Sequence, residues 1–255
     1  MSAVSPAIVK TIIQLQSLPS LANFSLAGGT NLALQYNHRI SDDIDLFCSE
    51  IIGLNGFNRI QAEVETSFGK KARNFDNPCD INDQYSFLRF FIDTEDGAMI
   101  KVDVLQNMKH LFEIETTNGI RVFSKTDIGL YKLVSLSNRS TKKDIYDLDF
   151  ITDEIKLNTL HERLKEKAEK FNKEDHKTIF DLDKNQSVLE NLELLINFDN
   201  ITASSKFPTH THDNIKITER SKTWSEARIS WRSKVRAFFD HLEIDFPKPK
   251  GIDIS

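Results

Sequence analysis

Cysteine is nearly absent from this sequence. Cys48 and Cys79 are the only two, and neither sits in a Cys-x-x-Cys or Cys/His pattern. A disulfide framework and a zinc module are therefore excluded, and two reduced thiols in a cytoplasmic protein are expected. Proline (6) and glycine (9) are sparse over 255 residues, which excludes collagen-like and low-complexity classes. No apolar run approaches the roughly 18 residues of a membrane span, so no membrane partner is expected. The first residues, MSAVSPAIVKTIIQLQSL, lack the charged segment and unbroken apolar stretch of a signal peptide. Strong charge of one sign is also missing. A net charge of −5 gives no broad pull toward nucleic acid or acidic lipid, although a local basic groove remains compatible with it.

What is present describes a soluble α+β chain. Phenylalanine is abundant (18 residues), as an aromatic-rich core requires. Apolar residues at helical spacing predict a helix over 5–18. A short apolar run at 24–27 ends at Gly28-Gly29, and Thr30 is placed to cap a helix over 31–37. Alternation predicts a strand over 43–48, and a helix is expected over 55–68. Two β-rich runs, 85–93 and 98–105, flank Thr94-Glu95-Asp96-Gly97 and predict a hairpin. From Ser124 onward the pattern is helical. Ser124-x-x-Asp127 opens a helix over 127–138. Further helices are expected over 142–151, over a charged and exposed stretch from His161, and over 187–197. The segment 199–222 reads as a loop or lid. A last helix carries Trp224, Trp231, Val235 and Phe238 at spacings of seven, four and three, which marks a core face. The domain division that follows is 1–122 and 123–255.

The residues with chemical potential lie in "GGTNLALQYNHRISDDIDLF" (28–47). In a strand, residues i and i+2 share a face, so Asp43 and Asp45 project together, about 7 Å apart by strand rise. Two adjacent carboxylates raise each other's pKa unless a cation sits between them, and hard oxygen ligands suit Mg²⁺ or Mn²⁺. A solvated edge strand with two surface acids is the plain alternative. Gly28-Gly29 before a helix N-terminus offers close backbone approach and unpaired N–H groups, the ingredients of a phosphate seat. On the second hairpin strand, Lys101 and Asp103 face one way. If that strand neighbours 43–48, Asp103 becomes a third carboxylate, as a two-metal site requires. Lys132 lies on an otherwise apolar helix, either snorkelling to the surface or aimed at a phosphate. Asp144 and Asp147 share a helix face.

Four pieces occur in order: LAGGTNLAL (26–34), HRISDDIDLF (38–47), KVDVL (101–105) and KLVSLSNRSTKKDIYDL (132–148). Together they resemble the AbiEii/AbiGii-type nucleotidyltransferase toxins of the DNA polymerase β-like superfamily. The resemblance implies a small mixed-sheet nucleotidyltransferase core followed by a mostly helical C-terminal domain carrying Lys132 and Asp144. It implies Mg²⁺ or Mn²⁺ held by Asp43, Asp45 and Asp103, and a triphosphate cradled by Gly28, Gly29 and Thr30 with Ser41 nearby. Lys132 would hold a phosphate or the nucleotide, Asp144 would match the last acidic motif, and Arg39 would contact phosphate or brace the turn. The implied partners are an NTP, an RNA acceptor with tRNA foremost, and a cognate antitoxin. A small-molecule acceptor of the aminoglycoside kind, or nucleotide binding without turnover, are the rival readings. His210, His212 and Asp213 fit no standard metal spacing. The basic residues Arg228, Arg232, Lys234 and Arg236 read as the solvated side of a helix before they read as an RNA stripe.

Overall fold

The computed structural model describes residues 2–77, 83–138, 141–182, 186–199 and 214–248. Cys79, Arg139, and the His210, His212 and Asp213 group lie outside them. The first helix, α1 (Pro6–Gln16), begins where Ser5 accepts the Ile8 N–H and Pro6 fills the first turn. It buries Ile8, Ile12 and Leu15 against a mixed seven-stranded sheet of order β3-β4-β5-β2-β1-β7-β6. The strands are β1 (Ser25–Leu26), β2 (Asp43–Phe47), β3 (Ala72–Asp76), β4 (Phe87–Asp93), β5 (Met99–Leu105), β6 (Glu115–Thr117) and β7 (Ile120–Val122). β2 and β5 run parallel at the centre, and β4 returns antiparallel to β5 through the expected turn.

Strand alternation divides the sheet into two chemical faces. Ile44, Leu46, Leu88, Phe90, Ile92, Ile100, Val102 and Val104 are buried on one side, under α1 and under Phe57, Ile60 and Val64 of α3 (Gly53–Phe68). Asp43, Asp45, Arg89, Lys101 and Asp103 occupy the other. A second core forms among α4 (Lys125–Asn138), α5 (Lys142–Glu154), α6 (Leu157–Lys170) and α7 (Trp224–His241), and includes Leu133, Ile145, Leu160, Trp231 and Val235. Leu32 of α2 (Gly28–Tyr36) and Phe47 of β2 reach into this second core, joining the sheet to the helices. No helix among the described residues is long and apolar enough to cross a membrane.

Several elements differ from expectation for identifiable reasons. α2 starts at Gly28, so Thr30 lies inside it and does not cap it; its hydroxyl contacts the Asp43 carbonyl oxygen and shares a 2.8 Å hydrogen bond with Ser41. The edge strand β3 is short and polar, which hides it from an alternation search. The β6–β7 hairpin turns at Asn118 and Gly119, both at positive φ (51° and 78°), a tight turn that its Asn-Gly pair announces. Residues 187–197 form no α-helix but short 3₁₀ turns; the Leu195 carbonyl accepts from the Trp231 indole at 2.7 Å. α6 is amphipathic, not simply exposed, with Leu157, Leu160 and Leu164 buried. Ser124 does accept the Asp127 N–H (3.0 Å), yet the Asp127 carboxylate turns to the Leu111 and Phe112 N–H groups (2.8 and 3.1 Å).

Trp231 both fills the helical core and anchors the turn at Leu195. Trp231→Phe is expected to lower unfolding stability by roughly 2 kcal/mol through a lost hydrogen bond and a small cavity, measured by urea denaturation. A change below about 0.5 kcal/mol would remove the anchoring role.

Candidate active site

The parallel register of β2 and β5 places Asp43 opposite Lys101 and Asp45 opposite Asp103. The three carboxylates expected to meet are thus gathered on one face. Antiparallel pairing of β4 adds Arg89 opposite Asp103. Arg89 grips Asp103 through two bonds, Nε to Oδ1 at 2.6 Å and Nη2 to Oδ2 at 3.0 Å. Lys101 Nζ lies 3.5 Å from Asp43 Oδ2 and 3.3 Å from Asp103 Oδ2. Asp45 has no such partner in contact. Burial pushes its carboxyl up to about 6, reinforced by Asp103 and Asp43 and opposed by Lys101 and Lys132.

The glycine pair has a steric reason. A side chain on Gly28, which sits at φ +62°, would collide with the Asp45 carboxylate, and one on Gly29 would collide with the Arg39 guanidinium. The two side chains that bracket the site therefore press directly on the start of α2. Ala27 offers that helix no side-chain cap, so the first-turn N–H groups are left for solvent or a ligand. Thr30 and Ser41 are buried and bonded to each other, bracing α2 against the entry to β2.

Behind this edge lies a buried ion cluster. Arg39 forks onto Asp147, Nε to Oδ1 at 2.7 Å and Nη2 to Oδ2 at 2.8 Å. Lys132 Nζ reaches Asp144 Oδ1 and Asp147 Oδ2, both at 2.7 Å. Thr141 donates to Asp144 Oδ2 at 2.8 Å. Burial alone would raise the Asp147 pKa, but Arg39, Lys132 and the His38 hydrogen bond together hold it well below the usual carboxylate range. Burial lowers the His38 pKa despite Asp147, so a neutral imidazole donates Nε2–H to Asp147 Oδ1 at 2.8 Å. Of the two sequence readings of Arg39, this geometry is the brace. Lys132 is not snorkelling: it is buried and committed to two aspartates. Asp144, singled out from sequence, shares the cluster with Asp147, which is the more central of the two.

Four further residues belong here. Arg89 and Lys101 neutralise Asp103; the hairpin register that pairs Arg89 with it follows from the Thr94–Gly97 turn and was legible. His38 gave no signal, since its role depends on a fold-level contact. Lys143 is half-buried, its pKa lowered by burial and by Arg39 against the pull of Asp43 and Asp147. Elsewhere, Lys234 turns inward to Asp149 and Asp153 (2.7 and 2.6 Å) and Arg236 covers the Phe246 ring, so the basic residues of α7 are not one free stripe. Trp231 is core, as its spacing predicted. Among the described residues no three His, Cys, Asp or Glu side chains are already set to hold a metal together: Asp103 is occupied by Arg89 and Lys101. Asp43 and Asp45 fit a divalent cation better: they are hard oxygen ligands on one strand face, and among the described residues no cation contacts Asp45, whose carboxyl is raised chiefly by burial.

A family model described as nucleotidyl transferase AbiEii toxin, type IV TA system, matches residues 15–249. The chain is 31% identical over 138 residues to an uncharacterized protein of Aquifex aeolicus (strain VF5), covering 53% of this chain and 60% of that protein. The chain thus spans less than two thirds of that relative. Two solved structures share the fold. One is an H. pylori protein assigned as a nucleotidyltransferase (15% identity, TM-score 0.51, 92% of this chain and 93% of that one). The other is MenT4, the nucleotidyltransferase toxin Rv2826c of Mycobacterium tuberculosis H37Rv (16% identity, TM-score 0.51, 93% and 83%).

Two stability outcomes follow. Asp147→Ala leaves Arg39 and Lys132 buried without their main partner and is expected to cost about 3–5 kcal/mol by chemical denaturation; a loss below about 1 kcal/mol would show the cluster to be dispensable. Asp45 binds its proton more tightly folded than unfolded (about 6 against 3.8). Its contribution is therefore fully present below about pH 4 and lost as pH rises through 6. Asp45→Asn is expected to stabilise the protein at pH 8, on the order of 2 kcal/mol, and to change little at pH 4. Equal effects at both pH values in thermal melts would refute the raised proton affinity of the buried Asp45.

Proposed function

The chain belongs to the AbiEii nucleotidyl transferase toxin family of type IV toxin–antitoxin systems, and on that footing we propose that it moves a nucleoside monophosphate from an NTP to a hydroxyl of an RNA acceptor, with tRNA the expected class. The observation that carries this reading is the meeting of Asp43, Asp45 and Asp103 beside the uncapped start of α2. Carboxylates that repel one another, next to N–H groups that await an anion, suit a metal–triphosphate and little else.

Asp43 and Asp45 would hold Mg²⁺ or Mn²⁺, which supplies neutralisation of the charge developing on the phosphate oxygens. The Gly28 and Gly29 backbone and the α2 dipole would seat the triphosphate. Lys132, fixed by Asp144 and Asp147, contributes positive field toward Asp45. The acceptor hydroxyl attacks the α-phosphorus in line, pyrophosphate leaves, and Asp103 orients the hydroxyl or accepts its proton. Arg89 fixes the Asp103 carboxylate in place for that task through its two hydrogen bonds. Thr30 and Ser41 act by bracing. A type IV system also pairs its toxin with an antitoxin, the second partner proposed here.

The test incubates the protein with each labelled NTP, Mg²⁺ and total cellular RNA, and repeats it with Asp43→Ala. Label in a discrete RNA band is expected, falling at least on the order of 100-fold in the variant. Asp43 is half exposed and only loosely paired, so the melting temperature should move little. Undiminished labelling by the variant, or no label in RNA with any NTP, would overturn the proposal.

A further inference from the structure

Among the described residues two cations touch the carboxylate face and a third, Lys132, acts on it from the buried cluster behind; they are not equivalent. Arg89 holds Asp103 by a short fork of 2.6 and 3.0 Å. Lys132 is buried among two aspartates at 2.7 Å. Lys101 alone bridges the two carboxylate strands, touching Asp43 of β2 and Asp103 of β5. Its contacts are longer, 3.5 and 3.3 Å, and its side chain is 29% exposed. The register fixes its backbone directly opposite Asp43. A lysine head is a single point charge on a flexible four-carbon stem, so it leaves one site for another without breaking a fork geometry.

A divalent cation on Asp43 would seek oxygens that Lys101 already contacts. We propose that Lys101 is a resident counter-cation of this carboxylate face that yields to the metal when a nucleoside triphosphate arrives, so that metal and nucleotide enter together. The inference rests on the reading of Asp43 and Asp45 as metal ligands. A bare metal would have to displace the ammonium from Asp43 and then sit beside it, two positive charges with nothing new to offset them. A metal–triphosphate brings a polyanion that accepts the displaced ammonium. Lys101 therefore weakens metal binding to the free protein and strengthens nucleotide binding once metal is present. Metal and nucleotide raise each other's affinity by the same factor, and Lys101 enlarges that factor.

The experiment measures Mn²⁺ binding to the nucleotide-free protein by electron paramagnetic resonance, and binding of a fluorescent non-hydrolysable NTP analogue at saturating Mn²⁺. Wild type, Lys101→Met, Asp43→Asn and the double variant are compared, each checked for a cooperative melt, with Lys101→Gln used should the methionine variant fail to fold. Lys101→Met is expected to bind Mn²⁺ about 10-fold more tightly without nucleotide, and the analogue several-fold more weakly. A purely structural ion pair would not move the two affinities in opposite directions. Unchanged or weaker nucleotide-free Mn²⁺ binding in folded Lys101→Met overturns the counter-cation role. Mn²⁺ binding that survives Asp43→Asn in both backgrounds overturns the metal-ligand reading instead, so the two failures are distinguishable.

Discussion

The Asp147 carboxylate, gripped by Arg39, Lys132 and His38, is the interaction on which the rest of the site depends. Its partners come from two places: His38 and Arg39 in the turn between α2 and β2, and Lys132 on helix α4. All are buried, so the attraction is little screened and the cost of separating them is high. Through Arg39 the helical half of the molecule sets the entry angle of β2, and hence where Asp43 and Asp45 point. Through Lys132 it also sets the field those carboxylates feel. Hydrophobic contact alone joins the halves at Leu32 and Phe47, but apolar packing is tolerant of small slips. A forked guanidinium–carboxylate pair is not.

On the sheet the governing constraint is crowding of like charge. A parallel register that opposes Asp45 with Asp103 is unfavourable unless cations are recruited, and the strand neighbours supply them from fixed positions two residues or one strand away. Arg89 satisfies one carboxylate fully. Lys101 is shared between two. Asp45 is left with the deficit, pressed against a glycine whose missing side chain makes the space. The site is thus unstable by design of its register, and a ligand with the opposite charge distribution would relieve it. That is the physical content of the nucleotidyl-transfer reading.

Much of this was legible in the sequence, and the exceptions share a cause. Period-two alternation located β2, β4 and β5 to within two residues and put Asp43 and Asp45 on one face, because alternation is a local property; Asp103 joined them only on the condition of strand pairing that the β2–β5 register meets. The apolar spacing of α7 correctly made Trp231 a core residue. What failed depended on partners distant in the chain. Thr30 reads as a cap until Ser41 and the Asp43 carbonyl claim its hydroxyl. Residues 187–197 read as a helix until the Trp231 indole takes the Leu195 carbonyl. Gly28 and Gly29 were read for their backbone alone; that Asp45 and Arg39 leave no room for a side chain at either position depends on contacts distant in the chain. The Asn118-Gly119 turn was a local signal that the helical composition following it obscured.

The turn that carries Arg39 is finished by a late segment of the chain. Ile40 donates to the Lys216 carbonyl at 2.7 Å, Thr218 donates to the His38 carbonyl at 3.2 Å, and Tyr146 then fastens the Lys222 carbonyl at 2.6 Å. A ribosome releases residue 40 long before residue 218, and the closure between them spans most of the chain. Contacts of such high sequence separation are slow and form late. Until Lys216 and Thr218 arrive, the Ile40 N–H and the His38 carbonyl at the entry to β2 lack these backbone partners. The turn that positions Arg39 is thus a closure that no nearby segment of the chain can make.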